Sequence, residues 1–146
     1  MSHPDKTTNT NWMLLFFCWL MVSISATISI FFSSVLGYQP CVLCWYQRIC
    51  LFPLILIFAA GLFPAFDKSV IKYALPLTIA GGLTALYHTL LYAGIIPENI
   101  QPCSQGVSCT EKYIELFGFI SIPMMSFFAF SILTVLLIIL KRRTSK

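Results

Sequence analysis

Six cysteines in a chain of 146 residues are the side chains best able to do chemistry, and four of them fall into two pairs. Cys41 and Cys44 stand in the run Pro40-Cys41-Val42-Leu43-Cys44, and Cys103 and Cys109 follow further on. Paired cysteines support thiol-disulfide exchange, static disulfides or a tetrahedral Cys₄ metal site. The choice among these depends on the compartment that holds the sulfurs, and therefore on the elements that position them.

Those elements are membrane spans. With 58% hydrophobic, 15% aromatic and only 10% charged residues, the composition is far from that of a soluble domain. The net charge of +4 forms no basic stripe, which argues against nucleic acid as a partner. Crossing about 30 Å of hydrocarbon takes roughly 20 apolar helical residues. Four charge-free runs approach or exceed that length: Trp12 to Tyr38, Ile49 to Phe66, Tyr73 to Pro97 and Leu116 to Leu140. None alternates as a strand would, so the chain reads as an all-α integral membrane protein, a four-helix transmembrane bundle. The first run exceeds a usual signal core and lacks a clear small-residue cleavage site, so it is read as a span. There is no internal repeat, low-complexity stretch or soluble domain, and residues 1–146 form one unit.

An even number of spans puts both termini on one side with the turn Pro64 to Lys72. Lys6, Lys68, Lys72, Lys141, Arg142, Arg143 and Lys146 fall there, and only Arg48 and Lys112 fall opposite. By the positive-inside rule the termini are cytoplasmic. The loops holding Cys41 and Cys44 and holding Cys103 and Cys109 then face the outer, oxidising side, where disulfides persist and a thiolate metal cage would tend to oxidise.

The second run is barely long enough to cross, so its helix is expected to begin before Arg48, near Pro40. Cys41 and Cys44 would then sit at a helix N-terminus, where free N–H groups and the macrodipole stabilise a thiolate. Arg48, four residues after Cys44, shares its face and can stabilise that thiolate; its bland role is a snorkelling interfacial cation. His88 lies about 15 residues into the third run, or roughly 22 Å at 1.5 Å per residue, near the level of Arg48. An intramembrane histidine is a functional candidate, although a hydrogen bond to a neighbouring helix would satisfy it equally well. In the second outer loop, Ser108 and Glu111 have capping-box spacing, and Tyr113, Ile114, Leu116 and Phe117 supply the apolar face of a short interfacial helix. Cys18 and Cys50 lie inside apolar runs and are assigned to packing.

The run Pro40-Cys41-Val42-Leu43-Cys44-Trp45-Tyr46-Gln47-Arg48, with Pro102-Cys103, Cys109 and Phe117-Gly118-Phe119-Ile120-Ser121-Ile122-Pro123, resembles the disulfide bond formation protein B (DsbB) family. The likeness covers nearly the whole chain. The short spacing between Cys103 and Cys109 is closer to the BdbC branch of Gram-positive bacteria than to the enterobacterial form with its longer second loop. The resemblance implies a protein of the bacterial inner (cytoplasmic) membrane that oxidises a thioredoxin-fold thiol oxidase of the DsbA or BdbD type and reduces a quinone, ubiquinone or menaquinone. Carried over, Cys103 forms the mixed disulfide with the partner, Cys109 exchanges with Cys41, and Cys44 contacts the quinone beside Arg48. From its depth in the third run, His88 is a further candidate for cofactor binding. The shorter loop favours close approach of the two pairs over a large loop motion. Two other readings are a structural tetraspan protein with two static loop disulfides and a small transporter; the latter lacks an acidic residue within any span to couple ions.

Overall fold

Lipid offers no partner to backbone N–H and C=O groups, so each apolar run must satisfy them internally as a helix. The computed structural model, which describes residues 6–97, 115–116 and 120–145, has this architecture. Helices α1 (Lys6–Ser34), α2 (Val42–Leu62), α3 (Ser69–Tyr92) and α4 (Ile122–Thr144) are each long and apolar enough to cross a membrane. The shortest, α2 with its 21 residues, is about 31 Å long, matching a hydrocarbon layer of roughly 30 Å. Consecutive helices pack side by side, α3 against α4 most extensively, and α4 closes the bundle against α1.

The inward faces follow helical spacing. Leu15, Cys18, Val22 and Ala26 on α1, Leu51, Leu54, Phe58 and Leu62 on α2, and Phe130, Leu133, Leu137 and Leu140 on α4 recur every three or four residues and meet in one core. Large apolar side chains also cover the outside, among them Phe17, Ile24, Leu83 and Leu56, the last 74% exposed. In water such a surface would drive aggregation, whereas in a bilayer it is the solvated face. Gly61 lets α2 and α3 approach closely, since a Cβ there would lie 2.6 Å from the Val70 side chain and 3.1 Å from Leu15.

The helix ends are fixed locally. After α3, Gly94 adopts φ 73°, the Gly94 N–H bonds the Leu91 carbonyl and the Ile95 N–H bonds the Leu90 carbonyl, a Schellman ending. Before α3, Asp67 Oδ1 accepts the Ser69 N–H at 2.8 Å, and that bond holds its carboxyl below the usual carboxylate range. In α4, Lys141, Arg142 and Arg143 occupy the last turn, where cations complement the macrodipole.

One element departs from expectation. Glu115 and Leu116, expected in the short interfacial helix, are instead a strand, β1 (Glu115–Leu116), paired antiparallel with β2 (Ile120–Ser121). The apolar residues there fit either periodicity, and strand pairing satisfies their backbone groups across the sheet. Consequently α4 starts at Ile122 rather than at Leu116, with Pro123 in its first turn, where an N–H is dispensable. The remainder of the expected helix, including Cys109, lies outside the described residues, as does Cys103.

Candidate functional site

After α1 the chain turns at Gly37, with φ 70°, and runs through Pro40 into α2. Cys41 is the N-cap, its backbone extended at φ −70° and ψ 170°, and its sulfur accepts the Cys44 N–H at 3.4 Å. A sulfur thus takes the place that a serine or aspartate oxygen usually holds at a helix start. The helix does begin before Arg48, so both cysteines of the pair occupy its first turn. Their Sγ atoms lie 3.0 Å apart as free thiols. The Cys41 thiol is held well below its ordinary range, foremost by the hydrogen bond from the Cys44 thiol and then by His88, against the opposing effect of burial.

His88, buried in α3, brings its Nε2 to 3.8 Å from Cys41 Sγ. Its other ring nitrogen, Nδ1, lies 3.2 Å from Nε2 of Gln47, a buried residue of α2 two turns from the cap. Ser126 of α4 donates its hydroxyl to Oε1 of the same Gln47. A single polar chain therefore links three helices to one sulfur.

Arg48 points the other way around α2. Its Nε donates to Ser29 Oγ at 2.9 Å, and Nη2 donates to the Ser29 carbonyl at 2.7 Å and to Ser33 Oγ at 2.9 Å. The guanidinium also lies 5.5 Å from the centre of the Trp45 ring. These bonds tie α2 to α1, and among the described residues none of them reaches a sulfur.

Between these groups lies a cavity of about 300 Å³, walled by Cys41, Cys44, Arg48 and His88 and by apolar residues such as Phe32 and Met125. An apolar pocket with a few convergent polar groups is the common form of a small-molecule site. The ligand atoms of Cys41, Cys44 and His88 lie within 4.8 Å of one another. Two thiolates bound to one zinc at about 2.3 Å each would stand roughly 3.8 Å apart in tetrahedral geometry. The observed 3.0 Å between the sulfurs suits exchange better than coordination.

Of the residues singled out from the sequence, Cys41, Cys44, Arg48 and His88 meet at this cavity, while Cys18 packs in the core and Cys50 lies half-buried against it. Gln47, Ser126, Ser29 and Ser33 escaped that reading because a search for charge-free runs passes over uncharged polar residues. Two signals were available: Ser25, Ser29 and Ser33 recur every four residues along α1, and Gln47 adjoins Arg48 inside an apolar helix.

The model of the family described as "Disulfide bond formation protein DsbB" matches residues 8–140. A "Probable disulfide formation protein" of Metapseudomonas resinovorans is 47% identical, covering 96% of this chain and 97% of its own. A "Probable disulfide formation protein C 2" of Bacillus cereus is 43% identical over 88% of this chain and 91% of its own. The "Disulfide bond formation protein C" of Bacillus subtilis is 37% identical over 92% of this chain and 96% of its own. No solved structure matches. With a thiol pair capping a membrane helix and likeness along nearly its full length, the chain belongs to the disulfide bond formation protein DsbB family, a group of disulfide-generating membrane oxidoreductases.

Proposed function

We propose that the chain is a quinone-dependent thiol-disulfide oxidoreductase that reoxidises a DsbA/BdbD-like thioredoxin-fold partner and passes the electrons to a membrane quinone, ubiquinone or menaquinone. The observation that carries this reading is the position of the Cys41 and Cys44 thiols on the wall of an apolar cavity of about 300 Å³ within a lipid-embedded bundle. A static disulfide needs no such cavity, whereas a lipid-soluble acceptor does. The donor set suits a quinone: Arg48 supplies a permanent cation and His88 a polar edge on otherwise apolar walls. Cys41, Cys44, Arg48 and His88 would hold a quinone at this wall, and it would supply the acceptor for two electrons and two protons.

The chain's own residues divide the work. A partner thiolate attacks Cys103 of the Cys103-Cys109 disulfide, which forms the mixed disulfide and releases Cys109 as the thiolate that then attacks Cys41 Sγ. That step breaks the Cys41-Cys44 bond, forms a Cys41-Cys109 bond and releases Cys44 as a thiolate facing the acceptor. The N-terminal N–H groups of α2 and the positive charge of Arg48 would stabilise that thiolate, and Arg48 would supply the same charge to an acceptor held at the cavity. The basic residues at the termini and at the turn between α2 and α3 support a cytoplasmic position for those ends and an extracytoplasmic one for both cysteine pairs of a bacterial inner-membrane protein.

The test is oxidation of a reduced DsbA-like protein by the purified chain with a short-chain ubiquinone, followed by trapping of free thiols during turnover. The proposal expects partner oxidation, quinone reduction and transient free Cys44. Cysteines that stay oxidised when reduced partner is added would instead identify static loop disulfides.

A further inference from the structure

We propose that Gln47 and Ser126 are positioning residues that hold the His88 imidazole against Cys41, so that His88 Nε2 receives and returns the Cys41 thiol proton during exchange. This rests on the reading above for the reaction itself, but it comes from contacts that the reading does not use. Both ring nitrogens of His88 face protein atoms: Nε2 lies 3.8 Å from Cys41 Sγ, and Nδ1 lies 3.2 Å from Gln47 Nε2. Gln47 is buried, and the Ser126 hydroxyl holds its amide from the far side. In the observed arrangement Ser126 donates to Gln47 Oε1, the Gln47 amide donates to Nδ1, and the imidazole proton therefore falls on Nε2, directed at the sulfur.

The choice of residue types matters. An amide and a hydroxyl can each donate and accept, so the chain can reverse. With the Gln47 amide turned over, Nδ1–H donates to Gln47 Oε1, the amide donates to Ser126 Oγ, and the bare Nε2 can take the Cys41 proton to give an imidazolium–thiolate pair; in the observed arrangement Nε2 already carries its hydrogen and donates it to the Cys41 sulfur. No buried polar atom in the chain is stranded in either state, which in a low-dielectric site is what makes the proton transfer inexpensive. The balance is simple. Forming the Cys41-Cys44 disulfide removes two electrons and two protons from the thiols, the quinone receives both, and His88 carries the proton that leaves Cys41.

Among the described residues few other groups compete. The titratable or charged residues facing Cys41 are Cys44 and Arg48 on α2, Tyr38 on the lead-in to α2, and Tyr87 and Tyr92 on α3. From α1 and α4 the described cavity walls present serines and apolar residues.

The decisive measurement is the rate of Cys41 alkylation by iodoacetamide in the reduced full-length protein, resolved by mass spectrometry, as a function of pH. No acceptor takes part, so failure of the quinone reading and failure of this proposal are separable. Gln47→Leu should slow alkylation roughly tenfold below the midpoint and move the profile up by about one pH unit, as loss of a hydrogen bond to a charged pair requires. Ser126→Ala should produce a smaller shift in the same direction, and Ser126→Thr should restore the wild-type profile. His88→Ala should match Gln47→Leu, and the double variant should lose no more, since the two act as one unit. Should Gln47→Leu fail to fold, the near-isosteric Gln47→Glu favours a charged imidazole and should move the profile to lower pH. A profile unchanged in folded Gln47→Leu or Gln47→Glu, or losses that add in the double variant, would overturn the assignment.

Discussion

The two halves of α2 turn their inward residues to opposite purposes. From Leu51 to Leu62 its inward residues are Leu51, Leu54, Phe58 and Leu62, all within the apolar core. From Cys41 to Arg48 the helix presents Cys41, Cys44, Gln47 and Arg48 to a cavity, and each is held by a partner on another residue or helix. Lipid tails are as apolar as leucine, so the half from Leu51 to Leu62 gains only packing, and a polar group in the half up to Arg48 is tolerated only where it is satisfied. The side chains that α2 gives to the polar part of the cavity are thus confined to its cap and its first two turns, and the remainder of the helix keeps those turns in place.

The sharpest way to break this division is at the sulfurs. Cys41→Ser or Cys44→Ser should reduce turnover with a reduced DsbA-like partner to background, measured as quinone reduction in purified protein, while thermal stability stays near wild type. Normal quinone reduction by Cys44→Ser would remove the relay. The next largest effect is expected at Arg48. Lysine keeps the charge but cannot span Ser29 Oγ, the Ser29 carbonyl and Ser33 Oγ at once. Charge-assisted hydrogen bonds are worth about 1.5 to 3 kcal/mol, so Arg48→Lys should lower kcat/KM for quinone roughly ten- to a hundredfold. Mixed-disulfide formation through Cys103 should survive in the same variant. Equal quinone kinetics in wild type, Arg48→Lys and Arg48→Ala would return Arg48 to a membrane anchor.

At the other end of α2 the expected signature reverses. A Cβ at position 61 would meet Val70, whose β-branched side chain has little rotameric freedom to move aside. Gly61→Ala should therefore cost about 1 to 3 kcal/mol of stability, read as a lowered midpoint of thermal unfolding in detergent. Its kcat/KM per folded molecule should stay at the wild-type value. A kinetic defect without a stability defect would show that the two halves are coupled more tightly than their packing suggests.

Much of this contrast is legible in the sequence because lipid removes alternatives. Charge-free length implied four helices, and four helices long and apolar enough to cross a membrane are what the described residues form. The start of α2 near Pro40 followed from the length a span needs, and the observed cap at Cys41 agrees. The start of α4 was not legible, because Leu116 to Ile122 is as apolar as a span and hydropathy is blind to the pairing of Leu116 with Ile120. The Gln47 and Ser126 contacts were hidden for another reason. An uncharged polar residue in a helix becomes meaningful only when its face and its neighbour are known, and one sequence read for hydropathy supplies neither.

The smallest expected effect tests whether cysteine in this chain is reactive by type or by place. Cys18 is fully buried among Leu15, Val22 and their neighbours in the core, and Cys50 packs half-buried on the same cluster although it follows Arg48 by only two residues. Neither borders the cavity. A thiol in apolar surroundings has no donor to stabilise the thiolate, which is the species that attacks a disulfide. Replacing both by alanine removes one sulfur from each site, a smaller loss than a buried leucine truncation, and in lipid it forfeits contacts without exposing the core to water. The Cys18→Ala and Cys50→Ala double variant should therefore keep turnover within about threefold of wild type, with a drop in unfolding midpoint smaller than that of Gly61→Ala. Because it leaves only Cys41, Cys44, Cys103 and Cys109, the same variant also simplifies thiol trapping. A folded double variant without activity would mean that electrons pass through the core of the bundle, and the division between the two halves of α2 would fail.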